Sequence, residues 1–150
     1  MLFRSTNPNV VYIGGAQGGV WKTTNGNDAD GAITWTPLTD AQASLAMGAI
    51  AIDPNNTQTI YAGTGENSGS GDSYYGAGLL RSTDGGNSWT RVSNGTTTAF
   101  DGTNGKNGFS PAIGGITIQR GVANPVILMA VTYGSQPGVY RSAEIGRAHV

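Results

Sequence analysis

Short hydrophobic runs with alternating polar residues follow one another along the chain, each bounded by Gly, Asn, Asp or Pro. The clearest series comprises 49–52, 59–63, 78–82 and 88–92, and the turn-forming residues 53–56 separate the first two runs. Alternation of this kind predicts half-buried β-strands, and the intervening residues are typical of turns. No segment keeps a helical period of hydrophobic residues, so we expect essentially no helix.

The third run of this series occurs in three copies. Gly-Val-Trp-Lys-Thr at 19–23 recurs as Gly-Leu-Leu-Arg-Ser at 78–82 and as Gly-Val-Tyr-Arg-Ser at 138–142. Four strands repeated at a spacing of about sixty residues are typical of a β-propeller, whereas a β-sandwich gives no reason for self-similarity and a β-helix has a shorter repeat. We therefore predict an all-β fold, a partial β-propeller of about two four-stranded antiparallel blades with incomplete flanking strands.

The copies span about 7–40, 47–94 and 113–142, within a repeat region of residues 1–143. The first copy lacks a clear first strand, and the third ends before its last strand. Residues 144–150 depart from the repeat and resemble the translation of a sequencing adapter, so we expect them to be non-native. These observations predict a piece of a larger propeller whose remaining blades are its partners.

The sharpest motif lies between the third and fourth strands of the second copy, from Ser82 to Trp89. Asp84 can accept hydrogen bonds from nearby backbone N–H groups, while Gly85 and Gly86 tolerate positive φ. Trp89 can pack between blades and find a partner for its indole N–H. A structural staple is the expected role of these residues.

In the first copy, Asn25 and Gly26 stand where the second copy has its Asp-Gly pair, and a longer turn precedes Trp35. The motif resembles the Asp-box, or BNR repeat, of sialidase-type and sortilin-type (VPS10-like) β-propellers. The phrases at 61–66 and 18–23 resemble in particular the sortilin-like BNR repeats of bacterial exported proteins. The resemblance covers roughly residues 7–142 and implies a propeller scaffold outside the cytoplasm.

Alternate connections of antiparallel strands lie at opposite ends of a blade, so the long loops share the end away from the Asp-Gly turns. The loop 64–77 carries Glu66, Asp72, Tyr74 and Tyr75. Carboxylates beside aromatic rings suit a carbohydrate ligand, because acids bind hydroxyls or transfer protons and rings stack on sugar faces. The alternative is a solvated loop whose tyrosines pack on the next blade. The loop segment 101–106 makes a weaker case.

Composition limits the classes of partner. The 150 residues include 25 glycines and no cysteine, charged residues make up 11%, and the formal net charge is −1. Neither nucleic acid nor a membrane span is expected, since a basic surface and a long apolar run are both missing from the sequence. No metal or cofactor motif is found, so we expect none bound. The family resemblance implies a secreted or cell-envelope protein whose signal peptide is not in these residues.

Two functions remain open from the sequence. The first is a non-catalytic part of an exported BNR-repeat propeller that binds a protein or glycan at its long-loop face. The second is part of a glycoside hydrolase propeller of the sialidase or xyloglucanase kind. Fold alone does not choose between them. The arginines lie mostly on repeat strands rather than in the long loops, which weakly favours binding over a sialidase site.

Overall fold

The computed structural model describes the backbone of residues 2–4, 6–29, 31–92, 111–134, 137–144 and 147–149, and the side chains of 6–29, 31–92, 111–134 and 137–142. This part of the chain forms β-strands and contains no helix, hence no helix long and apolar enough to cross a membrane. The strands are β1 (Leu2–Arg4), β2 (Val11–Gly15), β3 (Gly19–Thr23), β4 (Thr36–Pro37), β5 (Met47–Ile52), β6 (Ile60–Thr64), β7 (Leu79–Ser82), β8 (Thr90–Arg91), β9 (Ala112–Ile118), β10 (Ile127–Tyr133), β11 (Gly138–Glu144) and β12 (Arg147–His149).

The strands form three antiparallel sheets of four strands, each in sequence order. We name them blade one (β1–β4), blade two (β5–β8) and blade three (β9–β12). The central strands keep one register throughout, because Tyr12 pairs with Lys22, Tyr61 with Arg81 and Leu128 with Arg141. The predicted all-β, partial propeller architecture is confirmed.

The flanking sheets are more complete than the sequence predicted. Blade one has a first strand, β1, paired with β2, and blade three has a fourth strand, β12, paired with β11. The expectation that blade one lacks its first strand and blade three its last strand was therefore wrong. The three residues of β1 are too few to show alternation. The strand β12 belongs to the segment expected to be non-native, and the origin of that segment stays a prediction.

Alternation along the strands fills two hydrophobic clusters, one on each face of blade two. In β6, Ile60 and Ala62 face blade one, whereas Tyr61 faces blade three. The cluster between blades one and two contains Tyr12, Val20, Met47, Ile50, Ile60, Ala62 and Leu80. The cluster between blades two and three contains Ala49, Ala51, Tyr61, Leu79, Val92, Ile113, Ile118, Ile127, Met129, Val131 and Tyr140.

The hairpin from Ser82 to Trp89, which we name the Asp84 hairpin, is held by one carboxylate. Asp84 Oδ1 accepts hydrogen bonds from Ser82 Oγ at 2.8 Å and from the Ser88 backbone N–H at 2.9 Å, and Oδ2 accepts from Ser88 Oγ at 2.6 Å. The hydrogen bonds from Ser88, followed by that from Ser82, lower the pKa of Asp84 to about 2. The charged carboxylate is therefore the form that holds the turn.

The glycines and tryptophan of the Asp84 hairpin join it to the blade one interface. Gly85 and Gly86 have φ of 71° and 93°. A Cβ on Gly86 would come within 2.5 Å of Leu38 Cδ1, so the backbone approaches blade one closely there. Trp89 donates its indole N–H to Gly86 O at 3.0 Å and packs against the cluster between blades one and two.

The corresponding turn of blade one, from Thr23 to Trp35, is named the Asn25 hairpin. Asn25 Oδ1 accepts from Thr23 Oγ1 at 2.8 Å and from the Thr34 backbone N–H at 3.1 Å, as Asp84 Oδ1 does in blade two. The Gly26 N–H donates to Asn9 O at 2.9 Å. Trp35 is more exposed than Trp89, at 37%. An asparagine thus builds the same turn in spite of the longer loop.

Candidate functional site

The loop between β6 and β7 begins at a buried threonine that fixes both of its ends. Thr64 Oγ1 donates to Gly78 O at 2.6 Å and accepts from the Ala77 N–H at 2.7 Å. Gly65 follows with φ of 96°, and a Cβ there would come within 2.7 Å of Ala112 Cα. The two ends of the loop are therefore held together at Thr64, and the backbone at Gly65 runs close against blade three.

Inside the loop, two hydrogen bonds join Glu66 and Tyr74. The Glu66 N–H donates to Tyr74 O at 3.0 Å, and the Tyr74 N–H donates to Glu66 Oε2 at 3.2 Å. Ser44 Oγ donates to Tyr75 O at 2.9 Å and ties the loop to the segment before β5. These bonds fix the Glu66 carboxylate relative to the backbone of the two adjacent tyrosines, whose side chains remain largely in solvent.

A cavity of about 180 Å³ lies between this loop and blade three. Its aromatic rings are Tyr74, Tyr75 and Tyr133, which are 53%, 55% and 41% exposed, and its carboxylate is Glu66. The other lining residues are Gly69, Ser70, Gly71, Ser73 and Ala112. Exposed rings, hydroxyls and a carboxylate around one small cavity are the groups that sugar rings and their hydroxyls contact.

Asp72 does not line this cavity. Its side chain is exposed, and Oδ1 accepts a hydrogen bond from Ser70 Oγ at 2.6 Å. That bond is the main reason why the pKa of Asp72 lies below its ordinary value. Of the four loop residues proposed from the sequence, the structure brings together Glu66, Tyr74 and Tyr75 and leaves Asp72 outside the cavity, where it stabilises the tip of the loop.

Tyr133 is the lining residue that the sequence analysis missed. It stands at the end of β10, in a different blade from the loop. The two blades are joined nearby, where Thr132 Oγ1 lies 2.6 Å from Asn67 Oδ1. The repeat could have indicated Tyr133, because β10 and β6 are both second strands and end at the same side of their blades. The segment 101–106, also proposed as a weaker contributor, lies outside the described residues.

The groups around the cavity can contact a ligand. Glycosidases work with two carboxyl groups facing each other across the scissile bond. Among the described residues that line the cavity, Glu66 is the one carboxylate. The cavity can therefore stack and hydrogen-bond a sugar, and it offers one acid or base.

Comparison of the sequence with known protein families and with curated proteins gives no match. Solved structures do match: the chain superposes on an ancestral GH74 enzyme with a TM-score of 0.68 at 23% identity, over 99% of this chain and 17% of that one. It superposes on the GH74 enzyme of Niastella koreensis with a TM-score of 0.57 at 23% identity, over 95% of this chain and 19% of that one. The chain spans less than a fifth of either enzyme. GH74 enzymes are β-propeller glycoside hydrolases, and the likeness shows the fold: these blades are built as part of a propeller.

Proposed function

We propose that this chain is the glycan-binding part of a larger β-propeller and contributes one wall of a carbohydrate-binding cleft. The observation that carries the proposal is the cavity in which Glu66 lies beside Tyr74, Tyr75 and Tyr133. Aromatic rings stack on the apolar faces of sugars, and a carboxylate accepts hydrogen bonds from their hydroxyls. The fold that the chain shares with glycoside hydrolases makes a glycan a better-supported ligand than a protein.

We further propose that additional blades cover the outer face of blade three. Leu128 and Val139, which are 39% and 73% exposed, stand on this face. By register they correspond to Tyr61 and Leu79, which blade three buries on the matching face of blade two. A glycan ligand and the resemblance to exported BNR propellers support a parent protein that is secreted or held in the cell envelope.

Binding can be measured by calorimetric titration of the chain with xyloglucan oligosaccharides and with sialyllactose. We expect one of them to bind, and Tyr74→Ala or Tyr75→Ala to weaken binding by about three- to tenfold through loss of ring stacking. Glu66→Gln should weaken it less. Asp40→Asn and Trp35→Leu change an exposed carboxylate and an exposed aromatic that do not line the cavity, so they should leave binding unchanged.

Equal binding by the two tyrosine variants and the unchanged chain, or no binding at all, would overturn the proposal. The second candidate function, hydrolysis, is favoured by the fold shared with GH74 enzymes. Its test is release of reducing ends from xyloglucan. Turnover by this chain that Glu66→Gln abolishes would make Glu66 a catalytic acid or base and replace the binding proposal.

A further inference from the structure

The cavity between the loop 64–77 and blade three is rich in hydrogen-bond acceptors. Glu66 is the one carboxylate among its described lining residues, and none of those residues is Lys, Arg or His. Glu66 Oε2 accepts the Tyr74 N–H at 3.2 Å, whereas Oε1 accepts no hydrogen bond from a described residue. An ionised carboxylate has no proton to donate, so Glu66 can only accept hydrogen bonds from a ligand.

The serine hydroxyls of the same wall direct their protons into the loop. Ser70 Oγ donates to Asp72 Oδ1 at 2.6 Å, so its single proton is used there. Ser73 Oγ lies 3.0 Å from Ser70 Oγ and 2.7 Å from Ser68 Oγ. These contacts are all made when Ser68 donates to Ser73 and Ser73 donates to Ser70. Ser70 and Ser73, which line the cavity, therefore present lone pairs to a ligand.

Negative charge accompanies these acceptors. The loop 64–77 holds two carboxylates, Glu66 and Asp72, and neither lysine nor arginine. The hydrogen bond from Ser70 lowers the pKa of Asp72, so Asp72 is ionised at neutral pH. The faces of tyrosine rings also carry negative charge density and attract cations within about 6 Å. Charge, hydroxyl orientation and aromatic rings thus all favour a ligand that is positively charged and donates hydrogen bonds.

Building on the proposed glycan-binding function, we propose that the ligand of this cavity is a glycan with free amino groups, of the glucosamine class. An ammonium group of the sugar donates a charge-assisted hydrogen bond to Glu66 Oε1. Tyr74, Tyr75 and Tyr133 contact the ammonium or the apolar face of the sugar ring. The two loop carboxylates attract the amine and disfavour acidic sugars such as sialic acid, because like charges repel.

Three tetrasaccharides with the same linkage test this preference: the glucosamine tetrasaccharide of the chitosan type, its N-acetylated form and cellotetraose. They differ in carrying an ammonium, an acetamide or a hydroxyl beside the anomeric carbon. Calorimetric titration at about pH 5.5 keeps sugar amines protonated and lies above the ordinary range of carboxylic acids. At about 20 mM salt we expect the glucosamine form to bind about three- to tenfold more tightly than either neutral form. At about 500 mM salt the ratio should fall toward one, because exposed charges are screened.

Glu66→Gln is the diagnostic variant, since it keeps an acceptor for the Tyr74 N–H and removes the charge. It should remove most of the preference for the glucosamine form and change the binding of cellotetraose less. Asp40→Asn is the matched control, because it removes the same charge from an exposed residue that does not line the cavity. It should leave the preference unchanged. Circular dichroism checks that both variants are folded.

Two results would overturn the amine preference and leave glycan binding standing. One is cellotetraose binding as tightly as the glucosamine tetrasaccharide. The other is a preference that Glu66→Gln reduces no more than Asp40→Asn does, which would mean attraction to the net charge of the chain and not to this cavity. Binding of none of the three tetrasaccharides also overturns the inference, and the glycan-binding proposal falls with it if the xyloglucan titration is negative as well.

Discussion

Asn25 and Asp84 occupy the same position in two hairpins and accept the same two kinds of hydrogen bond through Oδ1. They differ at the second side-chain atom. Asn25 Nδ2 donates to Ala32 O and to Asp28 Oδ2, both at 2.9 Å, whereas Asp84 Oδ2 accepts from Ser88 Oγ. Each residue therefore fits the hydrogen-bonding groups of its own turn.

The first prediction is that introducing aspartate at position 25 destabilises the chain. In Asn25→Asp, a carboxylate would meet the Asp28 carboxylate and the Ala32 carbonyl, and both donated hydrogen bonds would be lost. We expect a loss of about 1 kcal/mol in the free energy of unfolding, measured by urea denaturation at pH 7. Asn25→Asp combined with Asp28→Asn should recover part of it. A chain stabilised by Asn25→Asp would contradict this account of the turn.

The second prediction concerns acid. The pKa of Asp84 is about 2 in the folded chain, below the value of about 3.9 for an unfolded aspartate. A lowered pKa gives stability that is fully present above the unfolded pKa and is lost as the pH falls through the folded one. The contribution of Asp84 should therefore be complete above about pH 5 and disappear progressively between about pH 4 and pH 2.

Asp84→Asn isolates this contribution from that of other carboxylates. Asparagine keeps the Oδ1 acceptor, as Asn25 does, but does not titrate. The difference in urea midpoint between the unchanged chain and Asp84→Asn should be largest near neutral pH and shrink toward pH 2. A difference that stays constant over this range would show that the charge of Asp84 does not stabilise the hairpin.

The third prediction compares two equivalent glycines at blade interfaces. Gly14 in blade one and Gly63 in blade two stand at the same register position. A Cβ on Gly63 would come within 2.4 Å of Ile113 Cγ2 and 2.6 Å of Ile113 Cβ, whereas one on Gly14 would come within 3.0 Å of Ile50 Cδ1. Gly63→Ala should therefore destabilise the chain by about 1–3 kcal/mol, and Gly14→Ala by less.

The repeat supplies a natural control for this pair. The third equivalent residue, Ala130, carries a Cβ and lies on the outer face of blade three, opposite Val139. Ala130→Gly should have only the backbone effect, about 0.5–1 kcal/mol. Thermal unfolding of the three variants measures the relative size of their losses in stability. Equal losses from Gly14→Ala and Gly63→Ala would show that the interfaces relax equally well around an added methyl group.

The sequence predicts this fold well because the information is local and repeated. Alternation gives the strands, and the Asp-Gly-Gly turn gives the hairpin with its acceptor and positive φ values. The contacts between blades are not local. Tyr133 joins a cavity built by a loop about sixty residues earlier, and Tyr12 meets a carbonyl 73 positions away. No spacing rule within one repeat reveals such contacts, although the repeat explains them once the register is known.

Loop residues illustrate the same limit at the candidate site. Glu66 and Asp72 look equivalent in the sequence, since each is an acid in a Gly/Ser-rich loop close to the tyrosines. In the folded loop, Glu66 is hydrogen-bonded to Tyr74 and lines the cavity, whereas Asp72 does not line it. The distinction depends on backbone hydrogen bonds that form in the folded loop, and composition does not encode them.

The fourth prediction is that Thr64 couples stability to ligand binding. Its buried hydroxyl bonds to both Ala77 and Gly78, which close the loop that carries Glu66 and Tyr74. Thr64→Val keeps the shape but removes both bonds and leaves the Ala77 N–H without its acceptor. We expect a loss of about 1–3 kcal/mol in the free energy of unfolding, together with weaker binding of the oligosaccharide in calorimetric titration.

Thr64→Ser is the matched variant, because it keeps the hydroxyl and removes one methyl group. It should cost at most about 1 kcal/mol and leave binding nearly unchanged. Binding must be compared at a temperature where both variants are folded, as judged by circular dichroism, so that a weaker affinity reports on the loop and not on the unfolded fraction. If Thr64→Val lowers stability but binds as tightly as Thr64→Ser, the hydroxyl supports the blade and does not position the site.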